Sequence, residues 1–329
     1  MNKRQFLKSS IAGVVTVSGI GKVSDVFAAT SEKRETKVTK HILGKTGFKI
    51  FPVVYGGIVS MKDGQDASNN YVAWALDQGI NYFDVAPSYG DAQEKLGNSL
   101  KKHRKNIYLA CKTAQRLRPE AEKEFEQSIN LLHTDHFDVY QMHALSTQKD
   151  IDQAFGAGGV MEMMIKEKQE GRIRKLGFTA HSQEIALKAM SMYDFDTVMF
   201  PVNWQMNMRS QWGSAVCREA KSKGMGVLAI KGLIHRRWLN DEEKQDSDYP
   251  KSWCKPIDVG DKAFAIAALK YTFQTGANAI IPPGDFRDFS FCVDHIEEIL
   301  HEPLSKEEKA LLNKEYLAVK DYPFFEPAT

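Results

Sequence analysis

Eight short apolar runs, each set off from the next by a polar or amphipathic stretch, constrain this chain more than any other feature. The runs are 50–57, 79–85, 106–112, 136–142, 173–180, 196–203, 225–232 and 278–284. They are seven or eight residues long and read as strands. Between them lie helical patterns such as 120–134, where Phe125, Ile129 and Leu132 fall on one face, and the stretches 184–193 and 263–276. Gly79, Gly171, Gly224 and Gly276 each stand just before a run, where a helix C-terminal glycine belongs. Strand alternating with helix eight times predicts a single α/β domain, a (β/α)8 TIM barrel. The competing doubly wound sheet requires a G-x-G-x-x-G turn after an early strand, and the chain has none. Residues 38–51, with Gly44 and Gly47 flanking a turn, read as an N-terminal β-hairpin plugging the barrel floor. The long connection 233–260 reads as a lid or substrate loop at the mouth.

The N-terminus has a different character. Lys3, Arg4 and Lys8 precede the apolar run IAGVVTVSGIG, and Val26 and Ala28 satisfy the small-residue cleavage rule. Residues 1–28 are therefore expected to be an export signal cut after Ala28, leaving 29–329 as the barrel domain. The run is too short and too rich in Gly and Ser for a stable membrane span. KRQFLK resembles the twin-arginine export motif, with Lys3 where the first arginine usually stands. A general secretory signal and an uncleaved amphipathic arm stay open. The expected location is periplasmic or otherwise exported, and cytoplasmic if the signal does not function; the partner implied is the export machinery. The formal net charge of +2 gives no reason to expect a nucleic acid or an anionic membrane as partner. No CxxC pair occurs, and no Cys/His cluster has zinc-site spacing. Cys111, in an apolar strand, reads as a buried thiol, while an oxidising compartment leaves a disulfide among Cys111, Cys217, Cys254 and Cys292 open.

Chemistry is concentrated at the ends of runs two, three and four. Asp84 and Tyr89 lie in NYFDVAPSYGDAQEKLG, Lys112 ends NIYLACK, and His143 follows HFDVYQM. A free phenol, with a pKa of about 10, is a poor acid at neutral pH. An adjacent ammonium lowers it, a carboxylate holds that ammonium charged, and a histidine can orient a carbonyl. Barrel chemistry sits at the C-terminal ends of strands, and adjacent strands are about 4.8 Å apart, so the four side chains can converge. Singly, each has a plainer role: a turn cap, a pocket aromatic, an ion-pair partner, a core histidine. Together they suggest carbonyl reduction or its reverse, with Tyr89 as general acid and hydride from a cofactor.

The chain resembles the aldo-keto reductase family over roughly residues 38–315. FDVAPSYGDAQEKLGNSL (83–100), IYLACKT (107–113), LLHTDHFDVYQMH (131–143) and LGKTGFKI (43–50) are similar to four of its motifs, in order. The resemblance implies the catalytic set Asp84, Tyr89, Lys112 and His143, a small-molecule carbonyl or alcohol as substrate, and NADP as cofactor, with NAD possible. Ser182 and Asn203 stand where the nicotinamide amide is held; His181 is an alternative, and Met199 replaces a common glutamine. The candidate cofactor-binding residues are Gly57, Ser182, Asn203, Lys231, Gly232, Pro283, Gly284, Asp285, Arg287 and Asp294. Ser290, Val293 and Asp294 replace the family's adenosine-gripping Arg and Glu-Asn, leaving Arg287 as the nearby cation. Arg287 reads equally as a 2′-phosphate partner or a surface arginine, and Lys231 as a pyrophosphate or ribose contact or a solvated loop lysine.

Two other functions stay open. A nucleotide-binding sensor with little turnover is favoured by the altered adenosine grip and opposed by the complete tetrad. A metal- or phosphate-dependent barrel enzyme needs clustered carboxylates or histidines at strand ends, in which this chain is poor. Trp204, Trp212, Trp238 and Trp253 suit a flat or sugar-like ligand, or ordinary packing.

Overall fold

A computed structural model describes residues 38–325, so the expected export signal (1–28) lies outside the described residues. The first two strands, β1 (His41–Ile42) and β2 (Lys49–Ile50), pair antiparallel as the anticipated hairpin. The barrel strands follow: β3 (Tyr55–Gly56), β4 (Tyr82–Asp84), β5 (Tyr108–Thr113), β6 (Phe137–Leu145), β7 (Ile173–Ala180), β8 (Thr197–Pro201) and β9 (Gly226–Ile230). Two short strands, β10 (Ile234–Arg236) and β11 (Lys255–Pro256), form a second hairpin, and β12 (Ala279–Ile281) completes the barrel.

The eight-stranded sheet runs β3-β4-β5-β6-β7-β8-β9-β12, each neighbour parallel. A parallel bridge from Val53 to Ile280 closes it, and Val54 N–H donates to the Ile280 carbonyl at 2.9 Å. The (β/α)8 barrel read from the eight runs is thus the fold. Helices over 118–131, 183–192 and 262–275 match the helical patterns within a residue or three. Gly79 and Gly276 take φ of +86° and +126° at helix ends, a conformation that costs glycine no steric clash.

One run needed correction. Residues 50–57 do not make a single strand. Ile50 belongs to the hairpin, Pro52 has no N–H to give a ladder, and the barrel strand itself is Tyr55–Gly56, with Val53 adding a single bridge.

The hairpin seals the floor. Leu43, Phe48 and Ile50 pack from below against Val54, Tyr82, Val139, Leu228 and their neighbours inside the barrel. Gly44 permits this contact: a side chain there would begin 2.3 Å from the Gly226 nitrogen. Phe48 stacks on Tyr108 at 4.3 Å between centroids, and the Arg174 guanidinium lies 4.8 Å over the Phe48 ring. With its bottom filled, the barrel has room for chemistry only at its top.

The long connection is structured. It carries β10, a short helix Asp241–Gln245 and β11, and is fastened to the barrel mouth at two places. Lys251 Nζ reaches Asp63 at 2.7 Å and the Val59 carbonyl at 3.0 Å. Arg287 Nη2 reaches the Asp248 carbonyl at 2.6 Å. The four cysteines are free thiols. Among the described residues, no helix is long and apolar enough to cross a membrane.

Candidate active site

Each member of the proposed tetrad arrives from its own element. Asp84 ends β4, Lys112 is the penultimate residue of β5, His143 lies near the end of β6, and Tyr89 is in the turn after β4. Parallel pairing of β4 with β5, and of β5 with β6, aligns these ends side by side. Asp84 and Lys112 are fully buried and joined by a charged hydrogen bond from Lys112 Nζ to Asp84 Oδ2. Lys112 Nζ also donates to the Val85 carbonyl at 3.3 Å and stands 5.2 Å from the Tyr89 ring centroid. The Tyr89 and His143 rings meet edge to face, 6.0 Å apart at 85°.

The electrostatics define the protonation states. Burial works against the Lys112 ammonium, but Asp84 and Tyr89 outweigh it and raise its pKa above the ordinary lysine value. Burial also raises the Tyr89 phenol, while Lys112 pulls it back down. Tyr89 therefore carries its proton at neutral pH. Burial, then the positive charge of Lys112, lowers His143 to about 3. His143 is accordingly a neutral imidazole, able to hydrogen-bond a carbonyl without adding charge.

Arg116 supports this arrangement and was not legible from motifs. Its Nη2 donates to the His143 carbonyl at 2.8 Å and its Nε to Asp150 at 2.8 Å. The next residue, Ala144, has φ +56°, and its N–H donates to Thr179 Oγ1 at 2.6 Å. The backbone behind the His143 ring is thus held from two sides. The relevant signal is an arginine in the loop after β5, which no motif distinguishes from a surface arginine.

Tyr89, His143 and Asp84 line a cavity of about 240 Å³ at the mouth, shared with Met199, Lys231 and Trp253. Among the expected cofactor residues, Lys231, Pro283 and Gly284 line it too. Gly284 has to lack a side chain, since a Cβ there would fall 2.0 Å from Ile58 Cγ2. Gly56, one residue before the expected Gly57, is the lining glycine. Gly57 and Gly232 are close-packing positions, where a Cβ would meet Val85 at 2.9 Å and Thr272 at 3.0 Å. His181 reaches the cavity, whereas Ser182 caps the helix 183–192, its hydroxyl accepting from Ile185 N–H at 3.3 Å.

Asn203 is a correction. Its amide is fully spent inside the protein. Nδ2 donates to the carbonyls of Lys231 and Ile234 at 2.9 and 2.8 Å, and Oδ1 accepts from the N–H groups of Gln205 and Met206. Nothing is left for a nicotinamide amide, because a buried Asn can satisfy at most these four groups. Asp285 caps the helix Phe286–Asp294, and Asp294 stands at that helix's far end. Arg287 is already engaged. Its Nε pairs with Asp285 Oδ1 at 3.0 Å, and its guanidinium lies 4.6 Å over the Tyr249 ring of the lid.

Comparisons with known proteins bear on the family and the fold. The sequence profile of the Aldo/keto reductase family matches residues 57–280. The chain is 27% identical to L-galactose dehydrogenase of Arabidopsis thaliana over 220 residues, 60% of this chain and 66% of that one. It is 24% identical to the uncharacterized oxidoreductase YqkF of Bacillus subtilis over 191 residues, 51% and 60% of the respective chains. These matches span about two thirds or less of the relatives' own length. Among solved structures, the holo form of AKR11C1 from Bacillus halodurans superposes with a TM-score of 0.63 at 20% identity, covering 84% of this chain and 96% of that one. An aldo-keto reductase from Klebsiella pneumoniae in complex with NADPH gives 0.61 at 20%, with 85% and 95% covered.

Proposed function

The chain belongs to the aldo/keto reductase family, and on that premise we propose that it reduces an aldehyde or ketone to an alcohol, or runs the reverse reaction, with a nicotinamide dinucleotide. The observation that carries this reading is the buried Lys112–Asp84 pair beside a protonated Tyr89 that shares its cavity with a neutral His143.

The residues at the mouth fit the reduced nicotinamide end of such a cofactor. The side-chain-free Gly284 opens the turn after β12, and Thr179 and His181 offer polar groups around an otherwise apolar wall. When bound, the cofactor supplies hydride. The chain's own residues do the remainder. Tyr89 Oη and the His143 imidazole hold the carbonyl oxygen. As that oxygen gains charge, Tyr89 hands over its proton, and the Lys112 ammonium stabilises the phenolate left behind. Asp84 keeps Lys112 charged and aimed. Arg116 and Thr179 hold the β6 end so that His143 does not swing away. The lid residues Ser252, Trp253 and Cys254 shield the site from water.

NADP is the expected cofactor, with NAD as the alternative. The neighbouring Klebsiella pneumoniae enzyme was solved with NADPH, which supports NADP. Engagement of Arg287 by the long connection favours weak discrimination between the two and, with the altered adenosine grip, favours the second reading, a nucleotide-binding sensor with little turnover. The compartment belongs to the same proposal: KRQFLK and the Val26–Ala28 cleavage signal support an exported, periplasmic enzyme delivered through residues 1–28. The deciding experiment follows NADPH oxidation with reactive aldehydes in the wild type and Tyr89→Phe. Loss of turnover with retained nucleotide binding supports the enzyme. Undiminished turnover in the variant removes Tyr89 from its role.

A further inference from the structure

Lys231 departs from two rules at once. Its φ is +67°, in the left-handed region where a side chain is strained, although Gly232, which would take that conformation freely, is the next residue and does not. Its side chain is mostly enclosed, yet among the described residues no carboxylate lies within ion-pair distance of its Nζ. The other lysines of the site are matched: Lys112 by Asp84, and Lys251 by Asp63. Among the described residues, the Lys231 ammonium faces the ring of Phe325, 5.6 Å from Nζ. Burial lowers its pKa below the ordinary lysine value, the expected response of a cation without a counter-charge.

The surroundings enforce this state. The Lys231 carbonyl accepts from Asn203 Nδ2 at 2.9 Å and from the Ile234 N–H at 3.0 Å. Asn203 is fixed in turn by Gln205 and Met206, so the strained backbone is determined from both sides. This is where the amide expected to serve a nicotinamide is spent: it positions Lys231. The ammonium so positioned lies on the wall of the cavity that holds Tyr89 and His143. Strain and an unmatched charge, both maintained by buried hydrogen bonds at one residue, point to function more than to packing.

We propose that Lys231 is an oxyanion-binding residue of this cavity and that the carbonyl substrate it selects carries a carboxylate. The proposal rests on the carbonyl-reduction reading and names the substrate class within it. The carbonyl lies at Tyr89 and His143, near the ends of β4 and β6. The carboxylate lies at the end of β9, three strands round the wall from β6, with apolar Met199 and Ile230 between. The rival source of an oxyanion is the cofactor's diphosphate, and the two sources make different demands.

The probes are 4-carboxybenzaldehyde and 4-methylbenzaldehyde, alike in size and different in charge, used with wild type, Lys231→Met and Lys231→Arg. We expect the wild type to favour the carboxylate by at least tenfold in kcat/KM, through KM. Lys231→Met should bring that ratio close to one and Lys231→Arg should restore most of it. Calorimetric binding of 4-methylbenzoate to the protein saturated with NADP+ requires no turnover and should be lost only in Lys231→Met. Equal kcat/KM for both aldehydes in the wild type, or no 4-methylbenzoate binding by it, overturns the proposal. So does a tenfold loss of NADPH affinity in Lys231→Met with the aldehyde ratio preserved, which assigns the lysine to the diphosphate. If neither aldehyde turns over, the carbonyl-reduction reading fails, and the 4-methylbenzoate measurement still decides the oxyanion site.

Discussion

The guanidinium of Arg287 lies 4.6 Å over the ring of Tyr249 while its Nε holds Asp285 at 3.0 Å. One side chain thus ties the lid to the first turn of the helix after β12. Arg287, read from the sequence equally as a 2′-phosphate partner or a surface arginine, serves here as a clasp.

This sets the expected behaviour of Arg287→Ala. Partly exposed ion pairs contribute only about 0–1 kcal/mol, so thermal stability should change little. The lid between Asp248 and Ser252 should open more often, exposing it to limited proteolysis and speeding release of both dinucleotides. Titration should show NADPH and NADH affinities falling in proportion. A loss confined to NADPH would show that Arg287 leaves Asp285 to grip a 2′-phosphate.

Removing one partner of the buried pair should cost much more. Lys112→Met leaves Asp84 buried without its counter-charge, a change worth about 3–5 kcal/mol. Tyr89→Phe keeps the ring's contact with His143 and should stay within about 1.5 kcal/mol of wild type, the net worth of one ordinary hydrogen bond. Both should abolish turnover. Urea unfolding beside activity separates them: a stable, inactive Tyr89→Phe and a destabilised, inactive Lys112→Met. A fully stable Lys112→Met would mean that the pair is not buried as described.

Buried neutral histidines give the protein an acid-side weakness. Burial, first of all causes, lowers His143 to about 3 and His181 to about 4. In the unfolded chain each titrates near 6.5, so below that pH the unfolded state binds more protons and is favoured. Their contribution is unaffected above pH about 6.5 and is lost as pH falls toward about 4, at up to about 1.4 kcal/mol per pH unit for each. The urea midpoint should fall between pH 6.5 and 5, and less steeply in His143→Gln. A midpoint constant over that range would show that His143 is open to protonation in the folded state.

The floor hairpin offers a test remote from chemistry. Leu43 is fully buried within the barrel's interior cluster. Leu43→Ala should destabilise by about 2–5 kcal/mol, depending on how far Phe48 and Ile50 collapse into the space. Thermal melts measure this, and a shift smaller than about 1 kcal/mol would mean that the plug is dispensable.

Much of this was legible in the sequence, for reasons that also mark where legibility ended. β7 runs over Ile173–Ala180, the bounds read from the sequence, because Leu176–Ala180 is buried without a break between two parallel neighbours and Gly171 stands just before the run. β3 shrank to Tyr55–Gly56 because the same apolar residues also suited the hairpin and Pro52 divided them. That Asp84, Tyr89, Lys112 and His143 would gather was legible because each stands at a strand end or in the turn just after one, and parallel neighbours align those ends. Arg116 was not, since it acts through the carbonyl of His143, and a carbonyl leaves no trace in a sequence. Asn203 misled for a related reason. An asparagine after a strand looks the same whether its amide faces a ligand or, as here, the backbone of Lys231 and Ile234.

The Val53–Ile280 bridge has a consequence for how the molecule comes into being. The two strands it joins are the first and the last of the barrel, so a chain still emerging from the ribosome holds an open sheet with β3 and β9 as bare edges until β12 appears. Long-range closure of this kind is slow, and unpaired edges invite association with other chains. The hairpin turn packs against β9 where Leu43 and Gly44 meet Gly226, and Lys45 N–H donates to the Gly224 carbonyl just before it, so it too waits for distant sequence before its apolar side is covered. Only with β12 in place are both edges paired and the wall closed.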